Sequence, residues 1–503
     1  MGAPLGAPAA PDDRWAAAQL ANALAASGLA EESASVGAAS TQIWPDDLNA
    51  HLAVFVARLI QGRHADVRAA AERIGALHGL SGELAMRAAN VRLSSALFHR
   101  DEPEDVLASA RGVAATYPVL SPRTGADTGG THRGEPVTIG FVSPDVCEHA
   151  VARFLEPILE HRDRARVRCV LYHTGGHRDA VTTRLVALAD DWTAAASMTS
   201  NQLADHIASQ GVDVLVDLAG YTNGTGVAAF RARPAPVQAT FIGFPATLGM
   251  DEIDVRIVDS LTDPPGEADR FASERLVRID PCFLCYQPSD DAPEPGPVPA
   301  LGAGHVTFGV FNRLQKASDR VVELWARVLG AVPGSRLVMK APPFAEEATR
   351  AWWLERWASL GVATDRITLL ARTERYTDHL TALASCDIAL DTFPYNGTTT
   401  TCEAAWMGVP TMTRVGRSHH ARVGLSLLSA MGLRDFACEH DDDFVDRAVT
   451  LAGDLNVLGE LRARLRSTVS ASPLCDSPAY VARLTEALEI MVRDAHARPI
   501  RRS

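Results

Sequence analysis

The pattern of apolar and polar positions along this chain changes character twice. Between residues 14 and 118, apolar residues recur every three or four positions, which is the period of amphipathic helices. From residue 136 onward, short continuous apolar runs alternate with amphipathic segments, which predicts βα units around parallel sheets. Stretches rich in Gly and Pro at 119–135 and 288–304 separate these parts and predict linkers.

These changes divide the chain of 503 residues into four predicted parts. We predict a helical domain at 14–118, a first Rossmann-like domain at 136–287, a second one at 305–477, and a C-terminal helix and tail at 478–503. The fold class is therefore α/β, with two doubly wound domains after an all-α domain. Two such domains that face each other form a ligand cleft at the carboxyl ends of their strands. The predicted strands are 137–142, 167–172, 212–218, 237–242, 255–258, 306–311, 336–339, 367–370, 388–390 and 411–415.

Within the helical part, the segments 24–32 and 58–66 are similar, and their glycines, Gly28 and Gly62, lie 34 residues apart. This is the repeat length of tetratricopeptide (TPR) helix pairs, so we predict two to three degenerate TPR-like units. Such units either form a docking surface for a protein substrate or serve as a helical cap that stabilises the domains behind them.

Composition excludes several classes of protein. The net charge is −13 and the isoelectric point is about 5.7, which argues against non-specific nucleic-acid binding and against a polybasic membrane surface. The chain has no apolar stretch of about 20 residues and no signal-peptide pattern at its start. The eight cysteines are scattered, and the CxxC pair Cys282 and Cys285 lacks further ligands nearby. We therefore expect reduced thiols in a cytoplasmic protein.

Lysine is almost absent from the chain. Of the 48 basic residues, only Lys316 and Lys340 are lysine, and the richness in Ala and Arg points to a high-GC, bacterial genome. In such a background a retained lysine suggests a site that needs a compact ammonium rather than a guanidinium fork.

The segment 391–410 carries the most specific chemical signal. An apolar strand at 388–390 runs into a turn that ends at Gly397, and threonines 398–401 then open a helix. A helix start offers unpaired backbone N–H groups and a positive partial charge, so it suits a phosphate or diphosphate. Glu403, one turn later, is placed to accept hydrogen bonds from a ribose, and together these features indicate a nucleotide. The alternative is a threonine-capped helix without a ligand.

Other predicted strand ends are also followed by residues with useful chemistry. Histidine suits proton transfer near neutral pH, glycine allows a close approach of the backbone, and a lysine ammonium can neutralise a diphosphate leaving group. No Asp-x-Asp pair lies at a strand end, so we expect no metal. The residues are His149, Asp217, Tyr221, Gly243, Pro245, Lys316 and, at the start of a helix, His379.

Together these motifs resemble the catalytic region of the O-GlcNAc transferase / SPINDLY family, especially its bacterial TPR-linked members. Their order and spacing agree from residue 137 to about residue 428. The matching segments are Gly-Phe-Val-Ser-Pro-Asp-x-x-x-His149, Asp217-Leu-Ala-Gly-Tyr-Thr, Arg233-Pro-Ala-Pro-Val-Gln238, Gly243-Phe-Pro-Ala-Thr, Phe311-Asn-x-Leu-x-Lys316, 391–403 and Trp406-Met-Gly-Val-Pro410.

The resemblance implies a metal-independent, inverting GT-B glycosyltransferase that uses a nucleotide sugar and modifies Ser or Thr hydroxyls of proteins. By position, His149 matches the family's active-site histidine, with Asp217 as a second candidate base, and Lys316 matches the lysine that contacts the diphosphate. Thr399 and Thr400 match its phosphate-binding threonines. Glu403 matches the acidic ribose ligand, and His379 a histidine near the base. The other candidate substrate-binding residues are Asn396, Gly397, Thr398, Thr401, Arg313, Gly243, Pro245 and Tyr221.

The donor is less well defined, because Arg313 and Gln315 stand where animal members have Gln and an aromatic residue. The leading hypothesis is transfer of GlcNAc from UDP-GlcNAc to a protein, without a cofactor. The alternatives are GDP-fucose as donor, a cytoplasmic N-glycosyltransferase, and a TPR scaffold with a degenerate nucleotide site. The expected partners are a UDP-sugar and a protein or peptide acceptor, with a role for the helices in acceptor binding, and neither nucleic acid nor a membrane.

Overall fold

The computed structural model describes residues 11–123 and 136–497, with side chains from 13 to 123 and from 136 to 495. The predicted linker 119–135 is therefore described only as far as residue 123. The predicted C-terminal segment 478–503 is described as far as residue 497, and the remainder of both lies outside the described residues.

The N-terminal region consists of paired helices. Gly28 and Gly62 lie between the members of the first two pairs, with φ of 80° and 71°, a backbone conformation that glycine adopts without steric cost. The next helix begins two residues after each glycine, so the spacing found in the sequence reflects two equivalent helix pairs. Their assignment to the TPR class stays a prediction. The helices are α1 (Pro11–Ala26), α2 (Ala30–Ile43), α3 (Leu48–Gln61), α4 (His64–Gly75), α5 (Gly82–His99) and α6 (Pro103–Ala114).

The first α/β domain is built on seven parallel strands in the order β3-β2-β1-β4-β5-β6-β7. The strands are β1 (Val137–Ser143), β2 (Val167–His173), β3 (Asp191–Ala194), β4 (Val214–Asp217), β5 (Val237–Thr240), β6 (Val255–Val258) and β7 (Arg275–Arg278). The helices are α7 (Ala152–His161), α8 (Ala180–Leu188) and α9 (Ser200–Ser209).

The second α/β domain has six parallel strands in the order β10-β9-β8-β11-β12-β13. The strands are β8 (Thr307–Val310), β9 (Arg336–Lys340), β10 (Ile367–Leu370), β11 (Ile388–Leu390), β12 (Thr411–Arg414) and β13 (Ala437–Cys438). The helices are α10 (Ala300–Ala303), α11 (Asp319–Ala331), α12 (Glu347–Ser359), α13 (Tyr376–Ala384), α14 (Thr399–Trp406), α15 (Val423–Ala430), α16 (Asp441–Gly453) and α17 (Leu455–Ser470).

The strand order of each sheet reverses next to its first strand, between β1 and β4 and between β8 and β11. Ligands of doubly wound sheets bind at this reversal point, beyond the carboxyl ends of the strands. The last helix, α18 (Ser477–Ala497), returns to the first domain, where the Tyr480 hydroxyl donates to the Phe283 carbonyl oxygen at 2.6 Å. The predicted GT-B arrangement of two doubly wound domains behind a helical region is confirmed. Among the helices of the described ranges, none has the length and apolar character needed to span a membrane.

Three strands were missed by the sequence analysis, namely β3, β7 and β13. All three lie at sheet edges, where one side of the strand has no hydrogen-bonded neighbour. Their sequences, such as Asp-Trp-Thr-Ala in β3, lack the continuous apolar run that marks a strand buried on both faces. The apolar pattern therefore identified the interior strands and only one of the four edge strands, β10.

The helical region docks on the second α/β domain around the end of α3. Trp353 of α12 is fully buried, and its Nε1 donates to the Gln61 carbonyl oxygen at 2.9 Å. The Gln61 side chain is buried as well, and its Nε2 donates to the Glu346 carboxylate at 3.1 Å and to Thr349 Oγ1 at 2.9 Å. Because buried polar groups are costly without partners, these bonds fix how the helices sit on the domain.

This interface predicts a large effect of Trp353→Ala, which removes the indole and leaves the Gln61 carbonyl without that donor. Truncating a buried aromatic costs about 3–5 kcal/mol of stability, so we expect a clearly lower melting temperature in scanning fluorimetry. Trp15→Ala is the control, because the Trp15 side chain on α1 is 70% exposed. Equal melting temperatures for the two variants would contradict the assignment of Trp353 as an anchor.

Candidate functional site

A cavity of about 490 Å³ lies between the two α/β domains, at the carboxyl ends of their strands. We call it the interdomain cleft. Residues from the loops after β1 and β5 line one side, and residues from the loops after β8 and β11 line the other. The sequence-predicted residues that the structure brings together here are His149, Gly243, Pro245, Arg313, Lys316, His379, Thr398, Thr399 and Thr400.

The loop between β11 and α14 is held by the carboxylate of Asp391, which is 2% exposed. Its Oδ1 accepts from the backbone N–H groups of Gly397 at 2.6 Å and Thr392 at 2.8 Å, and its Oδ2 accepts from Thr413 Oγ1 at 2.7 Å. The amide of Asn312, which follows β8, donates to the same carboxylate at 3.3 Å. Four donors thus satisfy one buried acid and set the course of the chain into α14.

Lys316 lies on a short turn after β8, and its ammonium is held against the same loop. Its Nζ donates to the Asn396 carbonyl oxygen at 2.8 Å and lies 3.9 Å from the centre of the Tyr395 ring. Burial lowers the pKa of Lys316, whereas the nearby Asp391 carboxylate opposes this shift. The remaining N–H donors of the ammonium are available to an anion in the cleft.

The N-terminus of α14 forms the adjacent part of the wall. Thr398 precedes the helix without a side-chain cap, and the first backbone N–H groups of a helix have no partner within it. The Thr399 hydroxyl is buried without a hydrogen-bond partner among the described residues, whereas Thr400 Oγ1 donates to Asn312 Oδ1 at 2.9 Å. This wall combines a lysine ammonium with the positive end of a helix dipole, which suits a diphosphate.

His149 lines the cleft from the first domain. Its Nδ1 lies 3.6 Å from Asp145 Oδ2 and accepts from the Val151 backbone N–H at 3.4 Å. Burial lowers the pKa of His149, and the positive charge of Arg313 adds to this shift while Asp145 opposes it. The ring is therefore favoured in its neutral form, in which an imidazole nitrogen can accept a proton.

Behind the cleft wall, Glu403 takes part in a chain of side chains. Its Oε1 accepts from the Tyr376 hydroxyl at 2.7 Å, and its Oε2 lies 3.3 Å from His379 Nε2. The Lys340 ammonium donates to His379 Nδ1 at 2.9 Å. Because that nitrogen accepts, the neutral His379 ring carries its proton on Nε2 and donates it to Glu403. Both lysines of the chain therefore lie at the cleft.

Six predicted site residues do not line the cleft in this structure. Two of them, Asp217 and Gly397, instead make close contacts with the protein's own backbone and side chains. Asp217 is fully buried, and its carboxylate accepts from the backbone of Ala219 and Gly220 and from Thr240 Oγ1. Burial raises its pKa to about 6, against these hydrogen bonds. The carboxylate holds the turn after β4 through these hydrogen bonds and does not face the cleft. The other four are Tyr221, Asn396, Thr401 and Glu403.

Tyr221 and Gly397 lie next to cleft-lining residues in the sequence but make contacts outside that lining. The Tyr221 hydroxyl donates to the Leu248 carbonyl oxygen, and its ring packs on Tyr117 and Phe244, so the side chain turns away from the cleft. A Cβ at Gly397 would come within 2.7 Å of Thr400 Oγ1 and 2.9 Å of Asp391 Oδ1. Crowding by the protein's own side chains therefore favours glycine at this position.

Several lining residues were not among the sequence candidates, and they share no local motif. Tyr395 lies inside the predicted turn, but the cation beside its ring, Lys316, is distant in the sequence, so no local signal points to it. Asn312 directly precedes Arg313 and could have been found by its place after a strand. The others come from separate elements: Lys340, noted in the sequence only as one of two lysines, ends β9, whereas Arg372 and His419 follow β10 and β12. Among the described residues, no group of three or more His, Cys, Asp or Glu side chains could hold a metal ion.

The sequence model of glycosyl transferase family 41 matches residues 126–287 and 300–484. SPINDLY of Arabidopsis thaliana, which carries the name "probable UDP-N-acetylglucosamine–peptide N-acetylglucosaminyltransferase", is 41% identical over 360 residues, covering 71% of this chain and 39% of that protein. SEC of the same plant, with the same name, is 28% identical over 357 residues, covering 69% and 36%. This chain thus spans about two fifths of the length of the curated relatives it matches.

Among solved structures, a mutant of the O-GlcNAc transferase of Thermobaculum terrenum has a TM-score of 0.76 and 29% sequence identity. The match covers 97% of this chain and 99% of that one. The similarity therefore includes the helical region as well as both α/β domains.

The crowding at Gly397 predicts that Gly397→Ala displaces Thr400, Asn312 or Asp391 and so distorts the start of α14. We expect a loss of nucleotide affinity, measured by calorimetry, in a protein that still folds. Gly330→Ala is the matched control, because a Cβ on this glycine of α11 meets no atom within 4 Å and alanine is favoured in helices. Unchanged affinity in Gly397→Ala would show that the geometry of this loop does not determine binding.

Proposed function

The chain belongs to glycosyl transferase family 41, and from its cleft we propose that it is a protein O-glycosyltransferase. It transfers GlcNAc from UDP-GlcNAc to Ser or Thr hydroxyls of a protein acceptor, with inversion at the anomeric carbon and without a metal ion. The names of SPINDLY, SEC and the Thermobaculum terrenum enzyme support this reaction class. The observation that carries the proposal is the charge of the cleft.

Four cationic side chains line the interdomain cleft, and no Asp or Glu does so among the described residues. The cations are Arg313, Lys316, Lys340 and Arg372. Such a cationic lining is unusual in a protein of net charge −13, and it favours an anionic ligand with several phosphate oxygens. A divalent metal would find no carboxylate ligand on this lining, so the charge of a leaving diphosphate falls to the protein's own cations.

The leaving group would lie between Lys316 and the N-terminus of α14. As the bond between the anomeric carbon and the diphosphate oxygen breaks, negative charge grows on the diphosphate. The Lys316 ammonium and the backbone N–H groups at Thr399 and Thr400 are already oriented there, so they stabilise that charge without reorganisation. Their preorganisation comes from Asp391 and the Asn396 carbonyl, which hold the loop and the ammonium.

The acceptor hydroxyl would attack the anomeric carbon from the side opposite the diphosphate, next to His149. A neutral imidazole can take the hydroxyl proton as the new bond forms. In the tautomer with its proton on Nδ1, the ring faces Asp145 Oδ2, gives up the hydrogen bond from the Val151 N–H, and leaves Nε2 as the accepting nitrogen. The acceptor reaches the cleft as part of a protein, and the helical region supplies a surface for it.

A donor titration tests the proposal most directly. The purified protein is heated with UDP, UDP-GlcNAc, UDP-glucose, GDP or GDP-fucose, with and without EDTA. We expect the melting temperature to rise selectively with UDP and UDP-GlcNAc, because a ligand stabilises the folded state it binds. EDTA should leave this rise unchanged.

Other results would change the donor, the metal independence, the acceptor residue or the enzymatic function itself. Stabilisation by GDP and GDP-fucose alone would replace the donor and make the protein a fucosyltransferase. Stabilisation that EDTA abolishes would contradict metal independence. No stabilisation by any nucleotide would favour a helical scaffold with a degenerate site. Transfer to asparagine in place of Ser or Thr, read by mass spectrometry of a glycosylated acceptor, would identify an N-glycosyltransferase.

Alanine variants of Lys316 and His149 should differ in their effect on UDP binding. Lys316→Ala removes leaving-group stabilisation, so we expect kcat to fall by about 10²–10³ or more, together with weaker UDP binding. His149→Ala should lower transfer by about 10²–10⁴ and leave UDP affinity unchanged, because its role concerns the acceptor. Arg375→Ala, an exposed residue of the same domain paired with Asp378, is the control. Near-parental transfer by Lys316→Ala, or lost UDP binding in His149→Ala, would refute the assigned role.

A further inference from the structure

Two segments of the helical region, 61–64 and 95–101, contact the surroundings of Lys316 from behind the cleft wall. His64, the first residue of α4, is 1% exposed, and its Nε2 lies 3.3 Å from the carbonyl oxygen of Leu314. Leu314 begins the short turn that ends at Lys316. Gly62 packs on the same residue so closely that a Cβ there would lie 2.8 Å from the Leu314 oxygen.

His64 is part of a buried histidine pair. Its Nδ1 lies 2.8 Å from Nε2 of His99, and His99 Nδ1 lies 3.0 Å from the Ser95 carbonyl oxygen and 3.3 Å from the Ser95 hydroxyl. Burial lowers the pKa of His64 to about 3 and that of His99 to about 4, so both rings are neutral near pH 7. The Leu314 oxygen can only accept, so the contact needs the His64 proton on Nε2. His99 Nε2 then donates to His64 Nδ1, and the Ser95 hydroxyl donates to His99 Nδ1, so the contact of that nitrogen with the Ser95 carbonyl oxygen carries no proton. A hydrogen bond to the Ser95 carbonyl would require the opposite tautomers and would remove the one to Leu314.

The second contact is aromatic. The Phe98 ring stacks on the Tyr395 ring, with centroids 5.5 Å apart and planes inclined by 20°. Tyr395 is also the ring that the Lys316 ammonium approaches to 3.9 Å. An ammonium close to an aromatic ring is attracted by it, so the position of the ring helps to set that of the charge. The Arg100 carbonyl oxygen, 3.1 Å from His420 Nε2, adds a further contact beside Tyr395.

We propose that α4 and α5 position the Lys316 ammonium. His64, supported by His99, acts on the turn that carries Lys316, and Phe98 acts through the Tyr395 ring. This inference deepens the proposed function and rests on it. None of the three residues lines the cleft, so they are positioning residues that act through Lys316. The helical region is therefore part of the leaving-group site, in addition to any contact it makes with an acceptor.

A double-mutant cycle in the full chain tests this coupling. The affinity for UDP and for GDP is measured by calorimetry in the parent protein, His64→Ala, Lys316→Ala and the double variant. We expect His64→Ala to weaken binding roughly three- to tenfold, the size of one lost hydrogen bond. The double variant should bind no more weakly than Lys316→Ala alone, because His64 acts through the lysine. A role in folding alone would not produce this dependence.

His51→Ala is the matched control for a buried histidine of the helical region. Its Nε2 lies 2.7 Å from the Pro45 carbonyl oxygen, and the structure records no contact of this ring with the Lys316 turn. We expect parental affinity in this variant. His64→Gln, whose amide can donate to the Leu314 oxygen, should regain part of the lost affinity. Phe98→Leu keeps most of the side-chain volume, and it carries the test on its own if His64→Ala does not fold.

Two results would overturn the inference. One is parental affinity in both His64→Ala and Phe98→Leu when the proteins are folded. The other is an equal loss on adding His64→Ala to the parent and to Lys316→Ala, which would mean that the histidine acts independently of the lysine. Failure of the parent protein to bind either nucleotide would instead overturn the proposed function, and the first titration of the cycle reveals it.

Discussion

The buried carboxylate of Asp391 is the constraint on which the donor side of the cleft depends. Burying an acid without partners is costly, so its surroundings must supply donors, and they come from the turn before α14, from β12 and from the loop after β8. By collecting them, the carboxylate sets where Asn396 offers its carbonyl to Lys316 and where Asn312 meets Thr400. Charge in the cleft is thus positioned by an acid that does not line it.

The same separation of roles recurs across the site. Acidic side chains such as Asp391, Glu403 and Asp217 lie behind the walls, where they orient backbone and side chains, whereas cations face the cavity. An acidic protein can in this way present a locally positive pocket to a nucleotide diphosphate. The helical region joins this arrangement through Trp353, His64 and Phe98, so its packing and the geometry of the cleft belong to one structure.

Where local signals were complete, the sequence led to the right elements. The buried strands, the helix pairs joined at a glycine and the threonine-rich start of α14 each depend on residues close together in the chain. Their patterns can therefore be recognised in the sequence alone. Three of the four edge strands were missed because strands such as β3 carry no continuous apolar run, whereas the fourth, β10, is more apolar and was predicted. Lys316 and His149 were found because strand ends and residue chemistry coincide there.

The sequence by itself determined the fold class, the family resemblance and the positions at which the chain enters the cleft. Only the tertiary structure decided which way each side chain points: Asp217 and Tyr221 follow a strand as expected, yet both are held by hydrogen bonds away from the cavity. It also decided which distant residues meet, as Phe98 and Tyr395 do. The physical reason is that backbone direction follows from local preferences, whereas side-chain direction follows from partners that become neighbours only when the chain has packed.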